Sequence, residues 1–352
     1  MKKHIATIVG ARPQFIKAAT LSRAFKENQK VRETLIHTGQ HHDALMSDVF
    51  FDELRIPKPS YLLNIQGGSH GQMTGRMVEA IETTLLEENP DAALVYGDTN
   101  STLAGALAAS KLHIPVIHIE AGLRSYNRSM PEEINRVLTD HISTLLFCPT
   151  KVAGSNLAKE GIFQGVHHTG DVMYDATLFA INSIKDNKDL SRKFSHIPDH
   201  FGLLTIHRAE STQSLVHLQT ILEYVGDISR QNNLQVIFPV HPRTRKLIED
   251  GGIGKTISHN IQLIEPLSYF ETQFLLTKAG CIFTDSGGLQ KEAYFHRVPC
   301  ITLRTETEWV ETIEAGWNRL WSVKTYHDRK DIKDYGDGNA AGEISKIIMD
   351  NL

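Results

Sequence analysis

The chain has 352 residues, too many for one ordinary hydrophobic core, so two domains of roughly 150 to 200 residues each are expected. Its 37 basic and 41 acidic residues leave a formal net charge of -4, which excludes a general attraction to nucleic acid and leaves any anionic ligand to be held by local groups. Cys148, Cys281 and Cys300 lie in apolar strand-like segments without zinc or redox spacing and read as core thiols; with an opening apolar run too short for a signal peptide and nothing near the roughly 18 apolar residues of a membrane span, they predict a cytoplasmic chain.

In chain order, "HIATIVG", "FIKAATLSRAFKEN" and "RETLIHTG" alternate apolar runs with an amphipathic stretch, which predicts βαβ units on a parallel sheet and an α/β fold. Gly10, Arg12 and Lys17 fall at the first strand-to-helix turn, where backbone N–H groups and the helix dipole favour an anion. The turn is neither GxGxxG nor Walker-like, and a solvated cationic turn is the alternative. His37 and His41 in "HTGQHH" have no evident third ligand and no HExxH occurs, so no metal is expected. In "QMTGRMVEAIETTLLEENP" the four-residue spacing of Met73, Met77, Ile81 and Leu85 predicts a helix with one face on the sheet, ended by Pro90.

"AALVYG" and "IPVIHIE" are the next strands, separated by a helix in "DTNSTLAGALAASKL", so Asp98 and Glu120 stand at strand C-terminal ends, the edge where ligands collect in open α/β sheets. The stretch "HIEAGLRSYNRSMPEEINR" then adds Glu132 and Glu133, with Arg124, Arg128 and Arg136 interleaved. Such grouping suits a pocket holding ionised and neutral carboxyls side by side to move protons. Surface ion pairs at loop ends are the alternative.

After "LLFCPT" and "HHTGDVMYDA", the polar interval "SIKDNKDLSRKFSHIPDH" reads as the approach to a second domain. Five further strand candidates follow, "FGLLTIH", "LQVIFPVH", "IQLIE", "AGCIFTD" and "PCITLR", which predicts a second doubly wound domain. His207 and His241 each end a strand and could bond phosphate or shuttle a proton, although turn packing accounts equally well for His241. In "FTDSGGLQKEA", Ser286, Gly287 and Gly288 open a helix bearing Glu292; phosphate oxygens can approach such glycines and the carboxylate can accept from ribose hydroxyls, which suggests a nucleoside diphosphate. A plain glycine-rich turn is the alternative.

Taken together, "GARPQFIK", "HTGQHH", "VYGDT", "HIEAGLRS", "MPEEINR", "TGDVMYD", "IHRAES", "VHPR" and "DSGGLQKEA" resemble the non-hydrolysing UDP-N-acetylglucosamine 2-epimerase family over nearly the whole chain. The resemblance implies a glycosyltransferase-B-type fold, two Rossmann-like doubly wound domains facing a central cleft. The domains are expected at 1–175, with helix 336–352 packing back on it, and at 176–335. It implies UDP on the second domain, with Ser286, Gly287 and Gly288 at the phosphates, Glu292 at the ribose, Arg12 reaching the diphosphate and His207 assisting the departing phosphate. Asp98, Glu120 and Glu132 would be the acids around the sugar, Lys17, Arg136 and His241 further substrate contacts, and the arginines would hold the acids in place. No cofactor is implied; a UDP-sugar substrate, a homodimer and a place in polysaccharide biosynthesis are.

The implied reaction inverts carbon 2 of a UDP-activated 2-acetamido sugar by eliminating and re-adding UDP. Two departures bear on substrate and regulation. "EWVE" at 308 to 311 replaces an Arg-Pro-Glu sequence and is more similar to the branch acting on UDP-2,3-diacetamido-2,3-dideoxyglucuronic acid. Ala209 stands where regulated bacterial enzymes carry a second arginine, so activation through a second site at Gln40 and Gln72 is not expected. A hydrolysing 2-epimerase, a glycosyltransferase and a non-catalytic UDP-sugar-binding module are the competing readings.

Overall fold

The computed structural model describes residues 2–40, 51, 53–206, 208–212, 214–253 and 259–352. The chain divides into two compact units, Met1–Ala176 with Lys333–Leu352, and Thr177–Ile332. No helix among the described residues is long and apolar enough to cross a membrane.

In the first unit the strands are β1 (Lys3–Val9), β2 (Val31–His37), β3 (Tyr61–Leu62), β4 (Ala92–Tyr96), β5 (Val116–Ile119), β6 (Leu145–Cys148) and β7 (Val166–His168). Between and after them run α1 (Arg12–Glu27), α2 (His70–Glu88), α3 (Asn100–Lys111), α4 (Pro131–His141), α5 (Lys151–Lys159) and α6 (Val172–Ile184), the last of which belongs to the first unit only as far as Ala176. Among the described residues the sheet has order β3-β2-β1-β4-β5-β6-β7, every pairing parallel. The order reverses between β1 and β4, which opens the crevice for a ligand at their C-terminal ends. β4 is buried throughout, the reason it reads as a continuous apolar run rather than an alternating one.

Helix α2 starts on a reciprocal cap, Ser69 Oγ accepting from Gln72 N–H and Gln72 Oε1 from Ser69 N–H. Met77, Ile81 and Leu85 are fully buried against the sheet and Met73 partly so, as their spacing predicts. Its end differs from the expectation at Pro90. Asn89 takes the left-handed conformation at φ 43° and closes the helix one residue earlier, since a short polar side chain tolerates that region. The C-terminal helix, Ala340–Asn351, packs on α1, and Asp175 accepts the N–H groups of Ala340 and Ala341 at 3.1 and 2.8 Å.

The second unit contains α7 (Lys188–Lys193), β8 (Phe201–Thr205), α8 (Leu215–Gln231), β9 (Gln235–Pro239), α9 (Pro242–Asp250), β10 (Ile261–Ile264), α10 (Tyr269–Leu276), β11 (Cys281–Thr284), α11 (Gly287–Phe295), β12 (Cys300–Thr302), α12 (Val310–Glu314) and β13 (Asn318–Leu320). Among the described residues its sheet runs β10-β9-β8-β11-β12-β13, again all parallel, with the reversal between β8 and β11. Alternate residues serve opposite faces: Leu204, Val236, Phe238 and Phe283 pack in one cluster, Leu203, Ile237 and Ile282 in the other.

Candidate active site

At the end of β1 a side chain on Gly10 would stand 2.0 Å from Ser101 Oγ and 2.2 Å from Thr38 Oγ1, so only glycine fits. The N–H groups of Gly10 and Ala11 both donate to Gln14 Oε1, at 2.8 and 3.1 Å. Gln14 in turn donates to the Tyr96 carbonyl at 2.7 Å and to Thr102 Oγ1 at 2.9 Å. This corrects the expectation that these backbone groups await an anion: Gln14 already satisfies them. Arg12, partly buried at the first position of α1, is left as the cation of the turn.

The acids divide between two ion pairs and one unpartnered group. Lys17, one turn along α1, pairs with Glu120 beyond β5, their side chains 12% and 7% exposed. Glu120 sits at φ 71°, a left-handed conformation costing a non-glycine residue about 1–2 kcal/mol. Beyond β4, Gly97 has φ 62°, and a side chain there would lie 3.3 Å from Glu120 Oε2 and 3.6 Å from Lys17 Nζ. Asp98, the next residue, pairs with Arg136 of α4, and its carbonyl accepts from Asn135 Nδ2 at 2.9 Å.

Helix α4 opens with Pro131, Glu132 and Glu133, acids placed to complement the helix dipole. Glu133 is buried and structural: it accepts the N–H and Oγ–H of Ser125 and the N–H of Tyr126, each at 2.9 Å, and lies 3.4 Å from Arg136. Glu132 is partly exposed and its side chain makes no hydrogen bond or ion pair among the described residues. The expectation that all three arginines hold the acids needs correction. Arg136 does so, whereas Arg128 is exposed and Arg124 turns to Asp140 at 2.6 Å and Glu160 at 2.7 Å.

Two residues that sequence reasoning passed over join these turns. His118 on β5 places Nε2 at 2.7 Å from the Gly97 carbonyl and Nδ1 at 2.7 Å from Asp140 of α4. Asp140 Oδ2 accepts the Gly122 N–H at 3.1 Å. Burial pushes the Asp140 carboxyl upward, but His118 and Arg124 beside it outweigh this and hold it below the usual range. A polar ring within the apolar run "IPVIHIE" was the available signal for His118.

In the second unit His207 lies outside the described residues, as does His41 in the first. Arg208, next along, donates its N–H to Asp285 Oδ2 at 2.9 Å, so the fully buried Asp285 at the end of β11 anchors the chain beyond β8. Ser286 caps α11, its Oγ 3.5 Å from Leu289 N. A side chain on Gly287 would meet Glu308 Oε1 at 2.4 Å, while one on Gly288 would have nothing nearer than Ser286 Oγ at 4.0 Å. The first glycine therefore makes room for the 308–311 segment, and the second leaves open approach to the backbone.

Glu292 is buried and accepts from Gln273 Nε2, while Gln273 Oε1 takes the Nε2–H of His296 at 2.7 Å. Burial lowers the His296 pKa to about 4, so the ring is neutral at neutral pH and this chain of donors runs one way, toward the carboxylate. His241 is exposed before α9, its carbonyl accepting from Arg245 N–H at 2.9 Å. Gln40 Oε1 accepts from Ser101 N–H and Oγ–H at the first turn of α3, and Gln72 Oε1 is taken by the α2 cap.

Compared with known proteins, residues 23–349 match the family described as UDP-N-acetylglucosamine 2-epimerase. The chain belongs to this family. Its similarity to the UDP-2,3-diacetamido-2,3-dideoxy-D-glucuronate 2-epimerase of Pseudomonas aeruginosa is 48% identity, covering 98% of this chain and 99% of that one. The UDP-N-acetylglucosamine 2-epimerase of Methanococcus maripaludis is 47% identical with 98% of both chains covered. The crystal structure of Methanocaldococcus jannaschii UDP-GlcNAc 2-epimerase in complex with UDP-GlcNAc and UDP superimposes with a TM-score of 0.91 at 41% identity, covering 99% of each chain. The two doubly wound parallel sheets of this 2-epimerase family member are the Rossmann-like pair of the glycosyltransferase-B type that the resemblance implied. The family match begins after Arg12 and Lys17, but the full-length relatives carry the similarity into that segment.

Proposed function

We propose that the protein inverts carbon 2 of a UDP-activated 2-acetamido sugar without hydrolysis, as in the UDP-N-acetylglucosamine to UDP-N-acetylmannosamine reaction. The observation that carries this reading is the set of acids at two adjoining strand ends and the start of α4: Glu120 paired with Lys17, Asp98 with Arg136, and the Glu132 side chain without a partner among the described residues. Carbon 2 of an acetamido sugar is a very weak acid, so its deprotonation has to be coupled to departure of a good leaving group. A carboxylate takes the proton, the carbon 1–oxygen bond breaks, and its electron pair leaves with UDP, giving a 2-acetamidoglucal. UDP then adds back to carbon 1 while a carboxylic acid delivers a proton to the opposite face of carbon 2. The sugar begins and ends at one oxidation level, so no redox cofactor enters.

Asp98, Glu120 and Glu132 are the proton carriers in this reading, and two of different protonation state are needed because removal and delivery occur on opposite faces. Ser286, Gly287 and Gly288 at the start of α11 are assigned to the phosphates, supported by the helix dipole and the open approach at Gly288. Glu292 is assigned to the ribose, supported by Gln273, which fixes its carboxylate. Arg12, His207 and His241 are assigned to the charge gathering on departing UDP. A second reading, UDP-2,3-diacetamido-2,3-dideoxyglucuronate as substrate, is favoured by the Pseudomonas aeruginosa relative. A cytoplasmic homodimer in polysaccharide-precursor synthesis completes the proposal, supported by three unpaired cysteines and by the resemblance.

Proton NMR of a panel containing UDP-N-acetylglucosamine, UDP-N-acetylmannosamine and the diacetamido uronate tests the proposal. A new anomeric signal with the nucleotide still attached is expected, and the sugar giving the highest kcat/KM identifies the substrate. Accumulation of UDP with free N-acetylmannosamine would instead mark a hydrolysing epimerase, conversion only in the presence of an acceptor a glycosyltransferase, and binding without conversion a silent module.

A further inference from the structure

Three residues at the ends of β4 and β5 adopt left-handed conformations: Gly97 at φ 62°, Glu120 at 71° and Gly122 at 79°. The two glycines adopt this region freely, but at Glu120 it is strained and persists only where the surroundings over-determine it. Around them lies a cluster that the reaction as described does not use: His118 is 0% exposed, Asp140 1% and Arg124 5%.

We infer that His118 is a positioning residue that carries protons on both ring nitrogens and, through them, fixes the two turns bearing Asp98 and Glu120. The carbonyl of Gly97 can only accept, so Nε2, 2.7 Å away, carries a proton. Nδ1 faces Asp140 Oδ1 at 2.7 Å. The other oxygen of that carboxyl accepts from the Arg124 guanidinium at 2.6 Å and the Gly122 N–H at 3.1 Å, an arrangement that favours the ionised form. The proton between the two groups therefore belongs to the ring.

Charge balance agrees. Arg124 is shared between two carboxylates, Asp140 at 2.6 Å and Glu160 at 2.7 and 2.8 Å, the latter also meeting the exposed His141 at 3.1 Å, so a protonated His118 supplies the second buried positive charge. The Cys148 thiol, pushed up to about 12 by burial and then by Asp140, stays neutral and adds none. A glutamine or asparagine in place of His118 could not donate from two opposite ends. The imidazolium thus ties the carbonyl next to Asp98 to α4, and Asp140 ties α4 to the amide two residues after Glu120. The benefit to catalysis rests on the epimerase reading; the protonation of the ring does not.

Long-range proton–nitrogen NMR on the full chain with nitrogen-15-labelled histidine reads the ring directly. His118 is assigned by through-space contacts to Gly97, and by loss of its signals in His118→Gln where that variant folds. Both nitrogens are expected at protonated shifts at neutral pH; one nitrogen of unprotonated type there overturns the assignment. In folded His118→Gln and Asp140→Asn, kcat is expected to fall about 10–100-fold with KM within about twofold, because neither residue is assigned a contact with substrate. Unchanged kcat in a folded variant would overturn the positioning role. A doubly protonated ring in a protein that epimerises no UDP-sugar would sink the epimerase reading and the positioning role with it, while leaving the protonation standing.

Discussion

Lys17 and Glu120 are each nearly enclosed, so replacing Lys17 with Met would remove the cation paired with a carboxylate that solvent barely reaches. Loss of one partner of such a pair costs about 3–5 kcal/mol, and urea unfolding of Lys17→Met is expected to show a loss of that order, largely restored in the double variant with Glu120→Gln. The chemistry gives a separate expectation. Asp98→Asn, Glu120→Gln and Glu132→Gln should each lower kcat at least about 100-fold, the usual contribution of a positioned proton carrier. Near-normal epimerisation by all three would contradict the mechanism. The placement of these carboxylates in the fold was legible in the sequence because each follows a recognisable strand or opens a helix. Gln14, His118, Asp285 and Gln273 were not assigned, because their partners are backbone groups or side chains remote in sequence, such as Tyr96 for Gln14 and Glu292 for Gln273. Nothing in local composition announces such a pairing.

Among the elements, strands of four residues or more that are covered on both faces were readable as apolar runs, and α2 as a four-residue period. The strands that escaped notice, β3, β7 and β13, have two or three residues, too few for any periodicity; β12 is as short but was readable within the apolar run of "PCITLR". Helix α7 escaped because it lies in the polar interval with no buried face, its start set by Asn187 Oδ1 accepting from Asp189 and Leu190. The tie between α6 and the C-terminal helix makes a pH test. Burial raises the Asp175 pKa from 3.8 to about 6, against the two N–H groups that favour its ionised form. Since the folded value is the higher one, the stabilisation is fully present below about 3.8 and is lost as pH rises through about 6. Urea midpoints measured across this window should fall less steeply with pH in Asp175→Asn than in the unsubstituted protein. An identical slope would show that Asp175 is not a source of the dependence.

For the molecule as a whole, the repeated βα pattern and the restart after residue 200 were enough to expect two doubly wound sheets, and two parallel sheets that each reverse their strand order once are found among the described residues. The regulatory expectation also belongs at this scale. With Ala209 in place of an arginine, and with Gln40 and Gln72 engaged at helix starts, substrate saturation is expected to be hyperbolic. Sigmoidal kinetics abolished by Gln72→Ala would restore the second site. The central claim is that carbon 2 exchanges its proton while UDP leaves and returns, and the most direct measurement is proton and carbon NMR of the UDP-sugar after turnover in heavy water. Epimerisation by this route predicts deuterium at carbon 2 of the inverted sugar with UDP still attached at carbon 1. An inverted product that retains its original hydrogen at carbon 2 would contradict it.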